Sequence, residues 1–502
     1  MTVTSIRACL FARTLGVALA IAAAGCGHAA AATPSVPVRD FAGELLGLPT
    51  PTLQAPSRLT DTAPMPAALA QTRVELARAF FAGDFATVDR ALAAAHTQYT
   101  QGGSARDESE RLPLLIVDAG LAGAERCERW MKAMPRSYAA FRLCGRLWQR
   151  GAWMARTEQT IDKITSTQFA LMRDRAQRSS RLLQQALALD ARPVQALTML
   201  ADNQLLLKEK AEAQATLERV MTMMPRHADA YEVAARFARP EWGGSLKAVA
   251  AIVQRAKRAD VVADRIAYIE DHSVARPWVT PTPGAEKLYW EKVIAERATY
   301  QRLEDFTLYY ARLSNWRDAL PVLDRSIREH PHVAASYYWR ARSREELGDG
   351  RAALPDYRLA AAMGNEHAIQ RLIQAHIQGA LGLPARNLAA LVELCRYAAA
   401  LGSPAGGNCL GSSLWDGSLP GLPKDAALAL AWHAFAARGG SANSQHDLGW
   451  LLMSQRGPSN LDAATAKAAG NFWLQRAAEQ QHGFAIRKLQ DAGVPIERTT
   501  TR

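Results

Sequence analysis

The stretch Leu347–Asn365 reads LGDGRAALPDYRLAAAMGN. It opens on a Gly-Asp turn and then places Ala353, Tyr357 and Ala360 at steps of four and three. That spacing puts all three on one face of a helix. Two antiparallel helices approach closely only where small residues sit at the crossing, with one large residue alongside to fill the gap. The stretch therefore reads as the turn and second helix of a helical hairpin.

Similar helix ends recur along the chain as LALDARP, MTMMPRH, IREHPHV and AAMGNEH. Ala191 and Pro225 lie 34 residues apart, and so do Pro331 and Asn365. Thirty-four is the period of the tetratricopeptide repeat, which these segments resemble. In Val194–Pro225 the small residue of the second helix is Ala213, with Leu197 and Leu200 packing the first helix. In Tyr300–Pro331 the pair is Ala319 and Leu323. In Ala334–Asn365 it is Ala353 and Ala360 around Tyr357, although Arg340 and Ala341 stand where the repeat usually has leucine and glycine.

Beyond residue 365 the period lengthens. Leu372 to Leu410 is 38 residues, Ala398–Ala399 to Ala436–Ala437 is again 38, and Leu448 follows Leu410 by 38. These units resemble the Sel1-like repeat, a tetratricopeptide relative with a longer inter-helix loop. The residues carrying the likeness are Leu410-Gly411, Gly417, Gly421, Asp425, Ala429, Trp432, Ala436-Ala437 and Gly439. Leu448-Gly449, Trp473, Ala477-Ala478 and Gly483 continue it, with one loop glycine missing and a small insertion near Asn460. Further upstream, MPRSYAAF, WQRGAW and PEWGGS resemble a family of bacterial domains found fused to such repeats, and that likeness implies no known activity.

The chain has 502 residues, abundant alanine and leucine and few aromatics, a composition that favours helices. The formal net charge is +12, but Lys and Arg are spread along the chain with no basic run interleaved with aromatics. This is a solvated basic surface and not a nucleic-acid footprint. Residues 1–32 read as an export signal: Arg7 and Arg13 precede the apolar run Thr14–Ala24, which is too short to span a bilayer. Two processing sites compete. AAGC, ending in Cys26, resembles a bacterial lipobox, with Ala23 where leucine is usual; HAAAAT offers cleavage before Thr33. Seven prolines between Thr33 and Pro66 make residues 33–66 a linker. Helical patterning starts near Ala67, and Asp84 in FFAGDF is a candidate N-cap.

Four cysteines remain after the signal region: Cys127, Cys144, Cys395 and Cys409. No CxxC occurs, so zinc and thioredoxin-like readings are poor. Cys127 and Cys144 are equidistant from the turn MPRS, and Cys395 and Cys409 from Gly402. Residues equidistant from a hairpin turn lie side by side, so each pair can form a disulfide that staples one hairpin; the alternative is four buried free thiols.

The chain contains no GxxxxGK[ST], HExxH, GxSxG or strand-following GxGxxG. His330-Pro331-His332 lacks a neighbouring carboxylate or thiol for a metal. YIEDH, Tyr268 to His272, reads as the polar face of a helix end, and GGS after Trp242 as a helix start capped by Ser245. Trp415, Trp432, Trp450 and Trp473 sit at repeat positions and read as inter-helix packing. No cofactor and no catalytic residue is implied.

The expected fold is all-α, a right-handed α-solenoid of antiparallel hairpins. Its expected parts are the signal 1–32, the linker 33–66, a helical N-terminal region 67–190, tetratricopeptide-like hairpins 191–365, Sel1-like repeats 366–493 and a tail 494–502. The resemblance implies protein or peptide binding along the first helices. On them Gln301, Glu304, Tyr338, Arg342 and Glu345 lie away from the small packing residues. The expected role is an exported binding scaffold in the periplasm or at the outer membrane, touching the membrane only through a lipid on Cys26. The alternatives are an accessory subunit of an envelope or secretion machine, and an envelope hydrolase with its site in 67–260.

Overall fold

The computed structural model describes residues 48, 51, 54–102, 108–157, 163–273 and 283–497. The signal segment with Cys26, most of the linker before Gln54 and residues 498–502 lie outside them. Among the described residues every regular element is helical, and no helix is long and apolar enough to cross a membrane.

The N-terminal part comprises α1 (Ala68–Ala82), α2 (Phe85–Thr100), the short α3 (Glu108–Arg111) and α4 (Leu114–Asp118), then α5 (Ala124–Ala133), α6 (Tyr138–Arg156) and α7 (Ser166–Leu187). Sequence punctuates these helices. Asp84 caps α2 by accepting from Thr87 N at 3.2 Å, Ser137 caps α6, and Thr165 with Gln168 forms a capping box on α7.

From residue 194 the chain runs as hairpins: α8/α9 (Val194–Leu206, Lys210–Met223), α10/α11 (Ala228–Phe237, Leu246–Arg258), α12/α13 (Ala263–Ser273, Pro283–Glu296), α14/α15 (Tyr300–Arg312, Trp316–Glu329) and α16/α17 (Ala334–Glu346, Gly350–Ala362). The longer units follow as α18/α19 (Glu366–Gln378, Leu388–Ala400), α20/α21 (Pro404–Asp416, Ala426–Arg438) and α22/α23 (Ala442–Met453, Ala463–Glu479), with α24 (Gly483–Asp491) closing the array. From α8 onward each helix packs on its neighbours in chain order except between α12 and α13, which a Tyr289 hydroxyl to Asp271 bond of 2.9 Å links, and this is the pattern of stacked hairpins. In α17, Asp349 caps the helix by accepting from Ala352 N, and Ala353, Tyr357 and Ala360 are fully buried. Ala213, Ala319, Leu323, Ala429, Trp432, Ala436, Ala437, Leu448, Trp473, Ala477 and Ala478 are likewise buried. Ser245 caps α11, accepting from Ala248 N at 3.1 Å. Pro240–Trp242 forms one 3₁₀ turn ahead of it.

Cys127 pairs with Cys144, joining α5 to α6, and Cys395 with Cys409, joining α19 to α20, with Cα–Cα distances of 5.5 Å and 5.9 Å; the pairings are as expected, but the second bond ties two successive hairpins together and does not staple one.

Stacking alone does not account for the whole molecule. One hydrophobic core unites Val74, Phe80, Ile116, Trp130 and Leu147 with Tyr357, Ile369, Leu372 and Tyr397. The N-terminal helices therefore lie against the array. They meet it at its edge, where one hairpin hands over to the next. Leu115 covers Gly364, Phe81 and Ala119 cover Gly402, and the carbonyl of Ala119 approaches Gly439. Glu125 reaches Arg438 at 3.7 Å, and Thr167 donates to Glu497 at 2.8 Å.

Candidate functional site

Between the docked helices and the array edge lies a cavity of about 820 Å³. Its outer wall is a series of helix beginnings: Ala228 and Asp229 on α10, Asp264 and Arg265 on α12, Tyr300 and Gln301 on α14, Ala334 and Ala335 on α16, and Glu366 and His367 on α18. Successive hairpins place their first helices side by side, so these starts converge. Helix starts carry partial positive charge, and Asp229, Asp264 and Glu366 in the first turns complement it.

Most charges on the outer wall are spent within the wall. Arg265 pairs with Asp229 and Glu232, Arg236 with Asp202 at 3.3 Å, and Arg297 with Asp264 at 3.0 Å. Glu366 accepts from Ser403 Oγ at 2.5 Å and Ala405 N at 2.7 Å, so it caps α20, and burial raises its pKa. His227 is buried just behind the wall. Its Nδ1 lies 2.9 Å from the Tyr99 hydroxyl and its Nε2 3.1 Å from Thr198 Oγ1, which ties α2, α8 and α10 together. Burial lowers its pKa, favouring the neutral ring.

The inner wall is built differently. Arg73 on α1, Asp118 at the end of α4, and Arg146 and Arg150 on α6 all line the cavity. None of the four takes part in an ion pair among the described residues. Arg73 donates to the Arg111 carbonyl at 2.9 Å and Arg146 to Gln149 Oε1 at 2.7 Å. Burial, with Arg111 adding to it, lowers the Arg73 pKa, and burial raises that of Asp118 against the pull of Arg150, Arg146 and Arg73.

The five first-helix residues expected to bind a partner do not come together. Gln301 lines the cavity. Glu304, one turn further along α14, is largely enclosed, and burial with Asp305 beside it pushes its carboxyl up to about 7. Tyr338 lies behind the wall against His367, ring centroids 5.4 Å apart. Arg342 pairs with Glu346 on its own helix. Glu345 accepts from the Tyr357 hydroxyl at 2.6 Å and from Arg371 Nε at 2.9 Å, a tie between hairpins.

The two histidines of HPH line the cavity, with His332 Nε2 3.4 Å from Arg111. Among the described residues no group of three His, Cys, Asp or Glu could hold a metal ion. Asp271 of YIEDH is buried and takes two bonds from Arg302, at 2.6 and 3.1 Å. Trp432 and Trp473 are buried in packing, and Trp415 and Trp450 lie against the same clusters.

Sequence reading passed over the inner-wall arginines. A signal was present: in FRLCGRLWQR, Arg142, Arg146 and Arg150 step by four along an otherwise apolar helix. Arg142 is consumed by Glu110 and the Ser109 carbonyl, whereas the other two reach the cavity.

Residues 72–211 match the family model described as a domain of unknown function, DUF4034. They run from α1 into the start of α9. No curated protein matches the chain. Among solved structures it is similar to a Sel1 repeat protein from Oxalobacter formigenes, at 17% identity over 53% of this chain and 98% of that one, TM-score 0.36. It is also similar to a chain of the APC/C hetero-tetramer Cut9–Hcn1, at 14% identity over 85% and 93%, TM-score 0.31. The helical-hairpin architecture itself rests on the helix order and packing described above.

Proposed function

We propose that this protein is an exported, non-catalytic helical-repeat scaffold of the bacterial cell envelope that binds a segment of a protein partner in the cavity between α1–α7 and the array edge. One observation carries the reading: first-helix starts of five successive hairpins, α10 to α18, meet helices drawn from residues 68–156 around one cavity. Repeat arrays bind through surfaces assembled from many units, and a pocket of this size holds a few residues of extended chain. Export and the lipid on Cys26 belong to the same proposal. A role as accessory subunit of an envelope machine would use the same cavity for a fixed neighbour.

The test is capture from cross-linked envelope fractions with a cavity-filling variant, Ala335→Trp. The wild type should capture a defined partner and the variant should lose it, with helical circular dichroism unchanged. Equal capture by both would overturn the cavity as the binding site. Tyr338→Ala/Arg342→Ala serves as the second arm. If capture survives the tryptophan but fails in this variant, binding lies on the hairpin face around Tyr338.

A further inference from the structure

We propose that the inner wall of the cavity is an anion-reading surface for an extended acidic peptide segment, with Arg146 and Arg150 taking two carboxylates and Arg73 a third, and with Asp118 beside them. This names the kind of segment the cavity takes and rests on the binding role proposed above.

The first support is unspent charge. On the outer wall Arg236 and Arg265 are neutralised by carboxylates of the protein itself. On the inner wall Arg73, Arg146 and Arg150 enter no ion pair among the described residues, although they line one cavity. Asp118 lies near all three but pairs with none of them, and guanidiniums lining a cavity attract anions more strongly than they would on an open surface. Arginine also presents a planar fork that matches a carboxylate with two parallel bonds.

The second support is spacing. Arg146 and Arg150 are four residues apart on α6, so they share one face about 5–6 Å apart at Cβ. In an extended chain, alternate side chains project to the same side, about 6.5 Å apart at ~3.3 Å per residue. Carboxylates two residues apart on a peptide therefore match the two guanidiniums.

The third support selects a peptide over a compact polyanion. Asp118 lines the same wall, near Arg73, Arg146 and Arg150. A carboxylate beside these arginines repels a dense charge such as a phosphate. It can accept from a backbone N–H lying between two acidic side chains. A wall that combines guanidiniums with a carboxylate suits a ligand that combines acidic side chains with backbone donors.

The experiment uses the full chain and needs no partner. A fluorescein-labelled peptide Glu-Gly-Glu-Gly-Glu is titrated by anisotropy beside its Gln-Gly-Gln-Gly-Gln counterpart. The glutamate peptide should bind saturably, weaken with added salt, and bind roughly tenfold or more tightly than the glutamine peptide, since each charge-assisted pair lost is worth about that factor. Arg146→Gln/Arg150→Gln should lose a similar factor, with circular dichroism and melting temperature showing a folded protein. Arg219→Gln, on α9 and not among the residues that line the cavity, should bind as wild type does.

Equal binding of the two peptides, or wild-type binding by the double variant, overturns the proposal. So does binding of citrate or inorganic phosphate without binding of the glutamate peptide, which makes the wall a small-anion site. The failures separate cleanly. A partner blocked by Ala335→Trp but captured normally by Arg146→Gln/Arg150→Gln keeps the scaffold function and sinks the acidic reading. Direct peptide binding lost in the arginine variant stands even if no envelope partner is found.

Discussion

Phe81 of α1 lies edge-on against Phe435 of α21, ring centroids 6.0 Å apart at 79°. The contact fastens the N-terminal helices to the far part of the array, and Gly402 is what lets it close. A Cβ on Gly402 would come 2.2 Å from the Phe81 ring, and Gly402 has φ +88°, where side chains are disfavoured. Gly402→Ala should therefore lower the melting temperature and loosen the docked helices. Phe81→Ala, which empties the same joint, should cost about 3–5 kcal/mol. Hydrogen exchange in α1 should rise in both variants. Unchanged protection in α1 would mean that its fold does not depend on the array.

The disulfides should carry separate shares of stability. Each closes a short loop, Cys127–Cys144 with sequence separation 17 and Cys395–Cys409 with 14. Loops of that length correspond to ~3 kcal/mol apiece in the chain-entropy account. Cys127→Ala/Cys144→Ala should lower stability to denaturant by an amount of that order, and reductant should have the same effect on the wild type. Peptide mapping without reduction should recover both pairings and no cross-pair.

Glu304 should make stability depend on pH near neutrality. Its carboxyl is pushed up to about 7 by burial, with Asp305 adding to the effect. The folded state thus holds its proton more tightly than the unfolded chain. That contribution is fully present below the unfolded pKa, near 4.5, and is lost as pH rises through about 7. Every factor of about ten in proton affinity between the folded and unfolded chain corresponds to about 1.4 kcal/mol. Glu304→Gln should remain folded and flatten the decline in melting temperature between pH 5 and pH 8, measured against wild type in matched buffers. A parallel decline in the variant would place the titration elsewhere.

The proposed lipid anchor leads to a fractionation result. Cys26→Ser should move the protein from the membrane fraction to the soluble envelope fraction, because acyl chains contribute about 0.8 kcal/mol per buried CH₂. A wild-type protein that is soluble and begins at Thr33 would show instead that the second cleavage site is used.

The hairpins were legible in sequence because their signals are local. Two helices from adjacent segments need small residues at the crossing and a turn between them. Ala353, Tyr357 and Ala360 announce that within one short stretch, and all three are buried. The cysteine pairs were legible for the same reason, since consecutive helices fold back on each other about a known midpoint, whether within one hairpin or between two. The cavity was not. Arg73, Asp118, Arg146 and Arg150 come from three helices of the N-terminal part and face helix starts spread over residues 228–367. The core shared by the N-terminal helices and the array, with Leu115, Ala119 and Phe81 packed against the array's turn glycines, brings them there. Docking of that kind depends on shape and apolar burial between segments hundreds of residues apart, and no short-range period records it. The same distance explains the scattered first-helix residues. Their helix and its face followed from the repeat, whereas which turn of each helix borders open volume depended on what the N-terminal helices cover.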